Sequence, residues 1–567
     1  MENTGTKMKS ISLISKLTDE DKEYANDRWE NSLTLRKRKI NAMLSKQRGF
    51  YQFKNEGQIG YQIVKENLDI PLEIKNKKYD NLEQFFTEMK KYIQSKEISY
   101  NKYALYCIRN HTLNIEESKD KKKYVELLQK NDFVTDILFL IHEYFDYKEI
   151  IFEGLWILIN VLYFQNENTD LIMFLSNQQC IQLYIRILDK KDKFLRLNIY
   201  WLLSNLLNNN NIGITNQVLF HFYMTTIFRM YIFKDLEDTN SEINDIELYH
   251  LIVIVSRLSE FINDTFVRLR KNDIQNFIDY NPNVNYDIIL ENNNYLFYHS
   301  ILLFKNNIEN PKLSSHCVYG LSKLSNYLDD SIANNKFFVN DICLKLIKEQ
   351  IKVEEEFLNF VVQIIGNYLN YTPENLIDSE FLEAAVNYFV KLLQTYPTKQ
   401  YLKRDIFWSA SNISTEGPKC CEILAKSGLL LLALQSIITD NDIVINEALF
   451  MLIGFFNAKN IEVILHHIHL DYIKNLFLCL QNIHNKCIPG EQYKNVEVIE
   501  KILVCIGYLF ENGNYMKHNL MKNNNKFVLD FDKNGGFELL ETMLSENNLS
   551  KEVSQIAEIL LNLQKDN

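Results

Sequence analysis

Three of the four tryptophans occur in the same local sequence, and this recurrence constrains the fold more than any other feature of the 567-residue chain. The segments are FEGLWILINVL around Trp156, NIYWLLSNLL around Trp201 and DIFWSASNIS around Trp408. Each tryptophan is followed four residues later by an asparagine: Asn160, Asn205 and Asn412. Residues four apart lie on one face of a helix. The pattern therefore predicts a recurring apolar helix that carries a Trp–Asn stripe.

The spacing of the tryptophans indicates the length of the repeat. Trp201 follows Trp156 by 45 residues, and Trp408 follows Trp201 by 207 residues, or five steps of about 41, close to the period of about 40–47 of HEAT and armadillo repeats. Degenerate copies place other residues in the Trp and Asn positions: Val253/Arg257, Tyr319/Lys323, Gln363/Asn367 and Phe450/Gly454. We predict an all-α, right-handed superhelical solenoid of about ten armadillo repeats.

The composition agrees with long helices and excludes several classes of protein. Only 16 glycines and 7 prolines occur, whereas an all-β chain needs many turn residues. No GxGxxG, GxxxxGKS or GxxxxGKT sequence is present, so dinucleotide and P-loop chemistry lack their usual loops. The nine cysteines form no CxxC pair, which favours free thiols in a reducing compartment. Without a signal peptide or a long apolar run, we expect a soluble intracellular protein that is not an enzyme and binds no cofactor.

The charge is distributed unevenly along the chain. The formal net charge is −11, of which residues 1–60 carry +4 and residues 61–567 carry −15. We predict a basic arm at 1–60, a linker at 61–79 that Pro71 interrupts, and the repeat array at 80–567. An acidic array favours cationic partners over nucleic acid, although an acidic surface kept for solubility fits the charge equally well.

The repeated Trp–Asn stripe is suited to an extended basic peptide. Stacked repeats place each stripe beside the next and form a ladder. An indole face attracts Lys and Arg side chains, and an asparagine amide can pair with both polar groups of a peptide backbone. Because side chains of an extended peptide alternate, every second one can enter a gap between tryptophans. The alternative is that the tryptophans are core residues and the asparagines are helix caps; the repetition favours the ladder.

The repeats resemble those of the importin alpha family, adaptors that carry cargo with basic nuclear localisation signals. In that family the ladder binds the signal at a major site on the early repeats and at a minor site on the late repeats. The resemblance implies a major site at Trp156, Asn160, Thr169, Trp201 and Asn205. It implies a minor site at Asn367, Trp408, Asn412 and Glu447.

Three positions depart from the family pattern. Val253/Arg257 lacks the indole and adds a positive charge, and Phe450/Gly454 lacks the amide. Asn209 stands where the family has a pocket aspartate, so a buried lysine loses its charged partner. We therefore expect weaker signal binding, or an altered signal specificity.

The N-terminal arm contains two basic clusters within NSLTLRKRKINAMLSKQRGF, residues 31–50: Arg36, Lys37, Arg38 and Lys39, followed by Lys46 and Arg48. This segment resembles the importin-beta-binding segment of importin alpha. The resemblance implies that the arm binds importin beta and, when free, folds back onto the cargo groove. The preceding DKEYANDRWENS is largely acidic where the family is rich in arginine. The alternative is a solvated charged helix or a tail that binds nucleic acid.

These features together predict a nuclear import adaptor that shuttles between cytoplasm and nucleus. Its partners are then importin beta, cargo proteins with basic signals and, at the C-terminal repeats, a nuclear export receptor, with no nucleic acid and no membrane. The alternative is an armadillo scaffold that binds partners outside nuclear import. The arm distinguishes the two, because such a scaffold does not need importin beta.

One histidine cluster stands apart from the repeats. His466, His467 and His469 occur in LHHIHLDYI, with Asp471 close behind. A zinc site needs further ligands, and no second Cys/His cluster accompanies these residues. We therefore expect a helix surface or cap here, and no metal.

Overall fold

The structure, a computed structural model, describes residues 67–113, 123–124, 126–128, 130–164, 169–207, 245–268, 299–325, 342–371, 378–456, 461–487, 493, 495–519, 524–546 and 549–565. Within these ranges every long regular element is a helix and no strand occurs. The predicted all-α class is thus confirmed.

The described residues divide into two compact units, and the boundary lies within one helix. The unit up to Ile254 contains α1 (Leu72–Lys75), α2 (Leu82–Ile93), α3 (Ile98–Leu113), α4 (Phe133–Glu143), α5 (Lys148–Phe164), α6 (Thr169–Leu175), α7 (Gln178–Leu188), α8 (Lys193–Leu207) and the start of α9 (Asp245–Arg268). The unit from Val255 onward contains the rest of α9, a helical stretch at 299–307, α10 (Ser314–Leu324), α11 (Leu344–Ile347), α12 (Leu358–Tyr371), α13 (Ser379–Thr395), α14 (Gln400–Ser414), α15 (Pro418–Lys426), α16 (Leu429–Thr439), α17 (Asp442–Phe455), α18 (Ile461–His466), α19 (Tyr472–Asn485), α20 (Val496–Asn519), α21 (Lys526–Lys533), α22 (Gly536–Ser545) and α23 (Lys551–Lys565).

The helices recur in groups of three, which is the organisation of an armadillo-like repeat. A short helix, a longer one and a still longer one follow each other in α6–α8, α15–α17, α18–α20 and α21–α23. The positions predicted from the Trp–Asn pattern all lie in the longest helices of such groups or in their counterparts: α5, α8, α9, α10, α12, α14 and α17. The repeat predicted from the tryptophan spacing is therefore present as a repeat of helices.

Asparagine and aspartate side chains begin many of these helices. The Oδ1 atom of Asn81 accepts a hydrogen bond from the backbone N–H of Gln84 at 2.9 Å. The same kind of cap begins four other helices, at Asn177, Asp378, Asn441 and Asn525. Such caps satisfy N–H groups that have no partner inside the helix. The four predicted ladder asparagines lie inside helices instead, so they are not N-caps.

Ion pairs connect successive long helices of the first unit. Arg109 of α3 pairs with Glu153 of α5, and their side chains are 6% and 0% exposed. Lys148 at the start of α5 reaches Asp192, just before α8, at 2.7 Å. Arg196 of α8 pairs with Glu247 of α9, whose side chain is buried. A buried charge requires a partner, so these pairs help to fix the order in which the helices stack.

The second unit brings its long helices closest together at two glycines. A Cβ atom at Gly366 of α12 would lie 2.2 Å from Ser409 Oγ of α14. A Cβ atom at Gly454 of α17 would lie 2.2 Å from Ser414 Oγ of α14. A residue larger than glycine at position 366 or 454 would therefore clash with α14. This close approach explains why the Asn position of the repeat is a glycine in α17.

The predicted linker at 61–79 is packed along its described part. Leu68 and Ile70 are buried, and Pro71 stands at the N-cap of the short helix α1. The hydroxyl of Tyr103 donates to the Ile74 carbonyl at 2.8 Å. Pro71 begins a helix because its fixed φ suits a first turn. Residues 67–79 thus belong to the packed structure, and the rest of the linker lies outside the described residues.

No single described helix is long and apolar enough to cross a membrane. Helices α15 and α16 meet the length and composition requirement only as a pair, bent by 73°. The side chains of Leu429, Leu430 and Leu434 in α16 are buried within the second unit.

We predict that the Arg109–Glu153 pair is coupled. Glu153→Leu alone leaves a buried guanidinium without its carboxylate and should lower the free energy of unfolding by about 3–5 kcal/mol. The double variant Arg109→Met/Glu153→Leu removes both charges and should lose much less. Urea unfolding followed by circular dichroism measures both values. The single variant Arg109→Met completes the cycle: if the double variant loses as much as Arg109→Met and Glu153→Leu added together, the two side chains do not stabilise each other.

Candidate functional site

Trp156 and Trp201 lie side by side on α5 and α8, as the ladder requires. Both side chains are half-buried, and their ring centroids are 6.5 Å apart with an angle of 46° between the planes. The Arg109 guanidinium lies over Trp156, 5.9 Å from the ring centroid. His250 stacks on Trp201 at 5.1 Å and 26°. Arginine, two indoles and an imidazole therefore form one continuous row in the first unit.

The row leaves no gap between the two indoles. An aliphatic stem between two rings needs about 3.5–4 Å of carbon–carbon separation on each side, and hence about 7–8 Å between the rings. The observed 6.5 Å is too short. In this arrangement a stem does not fit between Trp156 and Trp201, so the insertion of peptide side chains between them stays a prediction. What remains available is the exposed edge of each ring.

The amides of the first unit differ from each other. Asn205 is 2% exposed, and its Nδ2 atom donates to the Ile159 carbonyl of α5 at 3.3 Å. Asn160 Nδ2 is covered and has no hydrogen-bond partner among the described residues. Thr169 begins α6, but its side chain lies outside the described part of the structure. Asn205 therefore links two repeats, whereas Asn160 retains an unused donor.

The predicted late site lies on α12, α14 and α17. Trp408 is half-buried and packs over Gly366, where an added Cβ would lie 2.9 Å from its Cζ3 atom. Asn412 Nδ2 lies 3.5 Å from the Gly366 carbonyl, and Asn367 Nδ2 donates to Ser325 Oγ at 2.8 Å. Asn367 is 4% exposed. Both amides thus contact the preceding repeat.

Lysines of the chain itself occupy aromatic faces of the second unit. Lys323 is 5% exposed and places its Nζ atom 5.3 Å from the centroid of Tyr319 and 5.7 Å from that of Phe360. Lys501 of α20 is 8% exposed and lies 4.0 Å from the centroid of Phe450. These are the positions at which a bound basic peptide would place its own cations.

Arg404, Asp405 and Gln363 form a buried hydrogen-bonded network on α12 and α14. Arg404 Nε donates to Asp405 Oδ1 at 2.8 Å, and Gln363 Nε2 donates to Asp405 Oδ2 at 2.9 Å. Arg404 and Asp405 are 6% and 2% exposed. Gln363 occupies the Trp position of its repeat and therefore supplies a hydrogen bond where an indole would supply a flat face.

The carboxyl group of Glu447 lies near two buried cations, Arg404 and Lys501. Burial raises its pKa to about 7, while Arg404 and Lys501 act in the opposite direction. Burial also lowers the pKa of Lys501, against the effect of Glu497. Glu447 is thus only partly ionised near neutral pH. A carboxyl group in that state attracts an incoming lysine less strongly than a fully charged one.

Sequence reasoning missed a further pair of the same kind. Tyr508 and Asn512 of α20 repeat the aromatic–x–x–x–Asn spacing with tyrosine in place of tryptophan. Asn512 Nδ2 donates to the Phe456 carbonyl at 2.8 Å. A search for any aromatic residue followed four residues later by asparagine would have found it. His250 and Lys501 give no such signal, because their contacts are with other repeats.

The predicted arm lies outside the described residues. This applies to all six residues assigned to importin beta binding: Arg36, Lys37, Arg38, Lys39, Lys46 and Arg48. The early and late halves of the predicted groove are each described within one unit, apart from the side chain of Thr169. The structure thus describes the ladder positions, and the arm assignment stays a prediction.

Comparison with known proteins finds similarity in structure and not in sequence. No family model matches the chain, and no curated protein matches it significantly in sequence. An engineered protein solved by the Northeast Structural Genomics Consortium matches with a TM-score of 0.56 at 12% identity, covering 85% of this chain and 99% of the other. This match shows a shared fold.

Two weaker structural matches have TM-scores under 0.5. A designed armadillo-repeat protein in complex with the peptide (KR)4 has a TM-score of 0.36 at 18% identity, with 47% of this chain and 98% of the other covered. A chain from a structure of the cadherin–beta-catenin interaction has a TM-score of 0.49 at 10% identity, with 85% and 94% covered. At these scores the similarity supports no further inference.

We predict that Glu447 makes stability depend on pH. The folded chain holds this proton up to about pH 7, whereas the ordinary value is 4.5. The folded state therefore binds more protons between these values, and the stability from Glu447 is lost as pH rises from about 4.5 through 7. Glu447→Gln stays neutral, so it should match the wild type at pH 5 and exceed it at pH 8 by about 1–3 kcal/mol.

Urea unfolding at the two pH values measures this difference. Glu383→Gln replaces an exposed carboxylate in the same unit and serves as the control. Equal gains for the two variants at pH 8, or a gain for Glu447→Gln already present at pH 5, would contradict the assignment.

Proposed function

We propose that this protein is a nuclear import adaptor that binds an extended basic segment of its cargo along the first unit. The observation that carries the proposal is the pair of half-buried indoles, Trp156 and Trp201, side by side on successive repeats. Two adjacent indoles offer a continuous apolar edge, which suits the aliphatic stems of lysine and arginine.

A cation of the chain itself supports this choice of surface. The Arg109 guanidinium already lies over Trp156 while it pairs with Glu153. Because the two rings are in contact, we infer that the peptide crosses their exposed edges and does not insert between them. Asn160, four residues after Trp156, would then donate a hydrogen bond from its unused Nδ2 atom to a peptide carbonyl.

The second unit is a poorer site for such a peptide. Lys323 and Lys501 already occupy the aromatic faces of Tyr319 and Phe450. Glu447 is only partly ionised. A basic peptide would have to displace buried cations there and would meet their charge. We therefore assign the cargo segment to the early half of the groove, on α5 and α8.

Charge supports a cationic partner for the array. Residues 61–567 carry −15, and residues 1–60 carry +4. An acidic body attracts basic segments over long distances and speeds their association. We propose that the arm docks on importin beta through its two basic clusters and that the protein shuttles between cytoplasm and nucleus.

The second candidate is a repeat scaffold with partners outside nuclear import. The observation in its favour is the set of internal cations on the second unit, because they remove half of the surface that a two-site import adaptor would use. A scaffold of this kind does not bind importin beta through its arm. A measurement of importin beta binding therefore distinguishes the two functions.

We predict that the first unit binds the peptide. Trp201→Leu keeps an apolar side chain but loses the long indole edge that the peptide crosses, and should weaken binding of a fluorescent lysine-rich peptide about tenfold. Trp408→Leu, the matched change in the second unit, should weaken it less than about threefold. Fluorescence anisotropy measures both affinities, with an alanine-substituted peptide as the control. A larger loss for Trp408→Leu would place the peptide on the second unit.

The arm has its own prediction. Replacing Arg36, Lys37, Arg38 and Lys39 by alanine removes four charges from a segment that precedes the described array. The variant should bind importin beta about thirtyfold to several hundredfold more weakly, since four cations at about 0.5–1 kcal/mol each contribute about 2–4 kcal/mol. Surface plasmon resonance with immobilised importin beta measures this change. Unchanged affinity would refute the import assignment and favour the scaffold.

A further inference from the structure

Three potential metal ligands meet in the second unit, away from the Trp–Asn face. Glu422 lies on α15, His466 is the last residue of α18, and His467 follows it. One ligand atom from each lies within 4.8 Å of the other two. The rings of His466 and His467 have centroids 4.9 Å apart and are nearly perpendicular. The carboxylate was not found by sequence reasoning because it belongs to the preceding group of helices.

The end of α18 allows two consecutive histidines to converge. Successive residues of a helix point about 100° apart, so neighbours in a regular helix face different directions. His467 has φ −104° and ψ 20°, outside the helical range, and begins a 3-10 turn at Ile468–Leu470. The backbone therefore turns at the one position where both imidazoles can approach the same point.

His467 is largely buried, yet one of its ring nitrogens makes no hydrogen bond. Its side chain is 12% exposed, and its Nε2 atom is covered and has no hydrogen-bond partner among the described residues. Glu422 Oε2 faces it at 3.6 Å, which is too long for a hydrogen bond. An imidazole thus faces a carboxylate across a gap.

We propose that Glu422, His466 and His467 bind a zinc ion. Zinc lies about 2.0–2.2 Å from imidazole nitrogen and carboxylate oxygen, so two ligands at a tetrahedral angle lie about 3.4 Å apart. The observed 3.6 Å between His467 Nε2 and Glu422 Oε2 is close to this separation. Two imidazoles and one carboxylate are a donor set that zinc accepts, with water at the fourth position.

One neighbouring charge, that of Lys426, affects the affinity of this site for zinc. Lys426 holds the other carboxylate oxygen, Glu422 Oε1, at 3.1 Å and is itself 67% exposed. It orients the carboxylate and leaves Oε2 for the metal, but its charge reduces the affinity. His469 lies farther away, with its ring centroid 5.9 Å from that of His467. A bound ion would connect α15 with α18 and so join two successive groups of three helices.

The experiment is a zinc titration of the full chain after treatment with a chelator, followed by calorimetry. The wild type should bind one zinc ion per chain and show a higher melting temperature with zinc. Glu422→Gln and His467→Ala should each weaken binding more than about tenfold, because loss even of an outer-shell partner weakens metal sites about 10–100-fold. Both should also lose the shift in melting temperature.

Two histidine variants serve as matched controls. His142→Ala removes an exposed histidine of the first unit. His469→Ala removes the neighbouring histidine that is not one of the three proposed ligands. Both variants should bind zinc as the wild type does. Magnesium should not bind, since it prefers oxygen ligands. No zinc binding by the wild type, unchanged binding by both Glu422→Gln and His467→Ala, or loss of binding in a control variant would each overturn the proposal.

Discussion

The stack of repeats depends on polar side chains of one long helix that donate hydrogen bonds to the backbone of the long helix before it. Such bonds recur along the described residues: Asn205 to Ile159, Ser409 to Val362, Asn412 to Gly366 and Asn512 to Phe456. A repeat buries its apolar face only against its neighbours, and apolar contact alone tolerates sliding. A buried donor left without its acceptor costs about 1–3 kcal/mol. These bonds therefore select one register, and the exposed edges of the indoles follow from it.

The repeat itself could be predicted because its signal is local. A tryptophan and an asparagine four residues apart within an apolar segment define both a helix and one of its faces, and the recurrence gives the period. The positions taken as degenerate copies, such as Val253 and Phe450, also lie in helices. The sequence predicts a linker where the short helix at 72–75 lies, since a single proline does not indicate whether it ends a helix or begins one.

The sequence does not predict which side chains contact the aromatic residues of the ladder, because these contacts are made between different repeats. Lys501 lies over the ring of Phe450, and His250 stacks on Trp201, although nothing in the sequence around either aromatic residue indicates it. The same holds for Glu422 beside the histidines. The two units consequently differ more than their Trp–Asn patterns suggest. The first presents adjacent indoles with one unused amide donor, although Arg109 lies over Trp156 and His250 stacks on Trp201. The second places Lys323 and Lys501 on tyrosine and phenylalanine rings and has no pair of adjacent indoles among its described residues.

Hydrogen exchange on the full chain tests this difference most directly. The variant with alanine at residues 36–39 keeps the arm from competing, and its exchange is compared with and without a saturating lysine-rich peptide. The account predicts slower exchange in α5 and α8, where Trp156 and Trp201 lie, and unchanged exchange in α14 and α17. Protection of α14 and α17 with no change in α5 and α8 would show that a peptide displaces the internal cations, and would contradict the account.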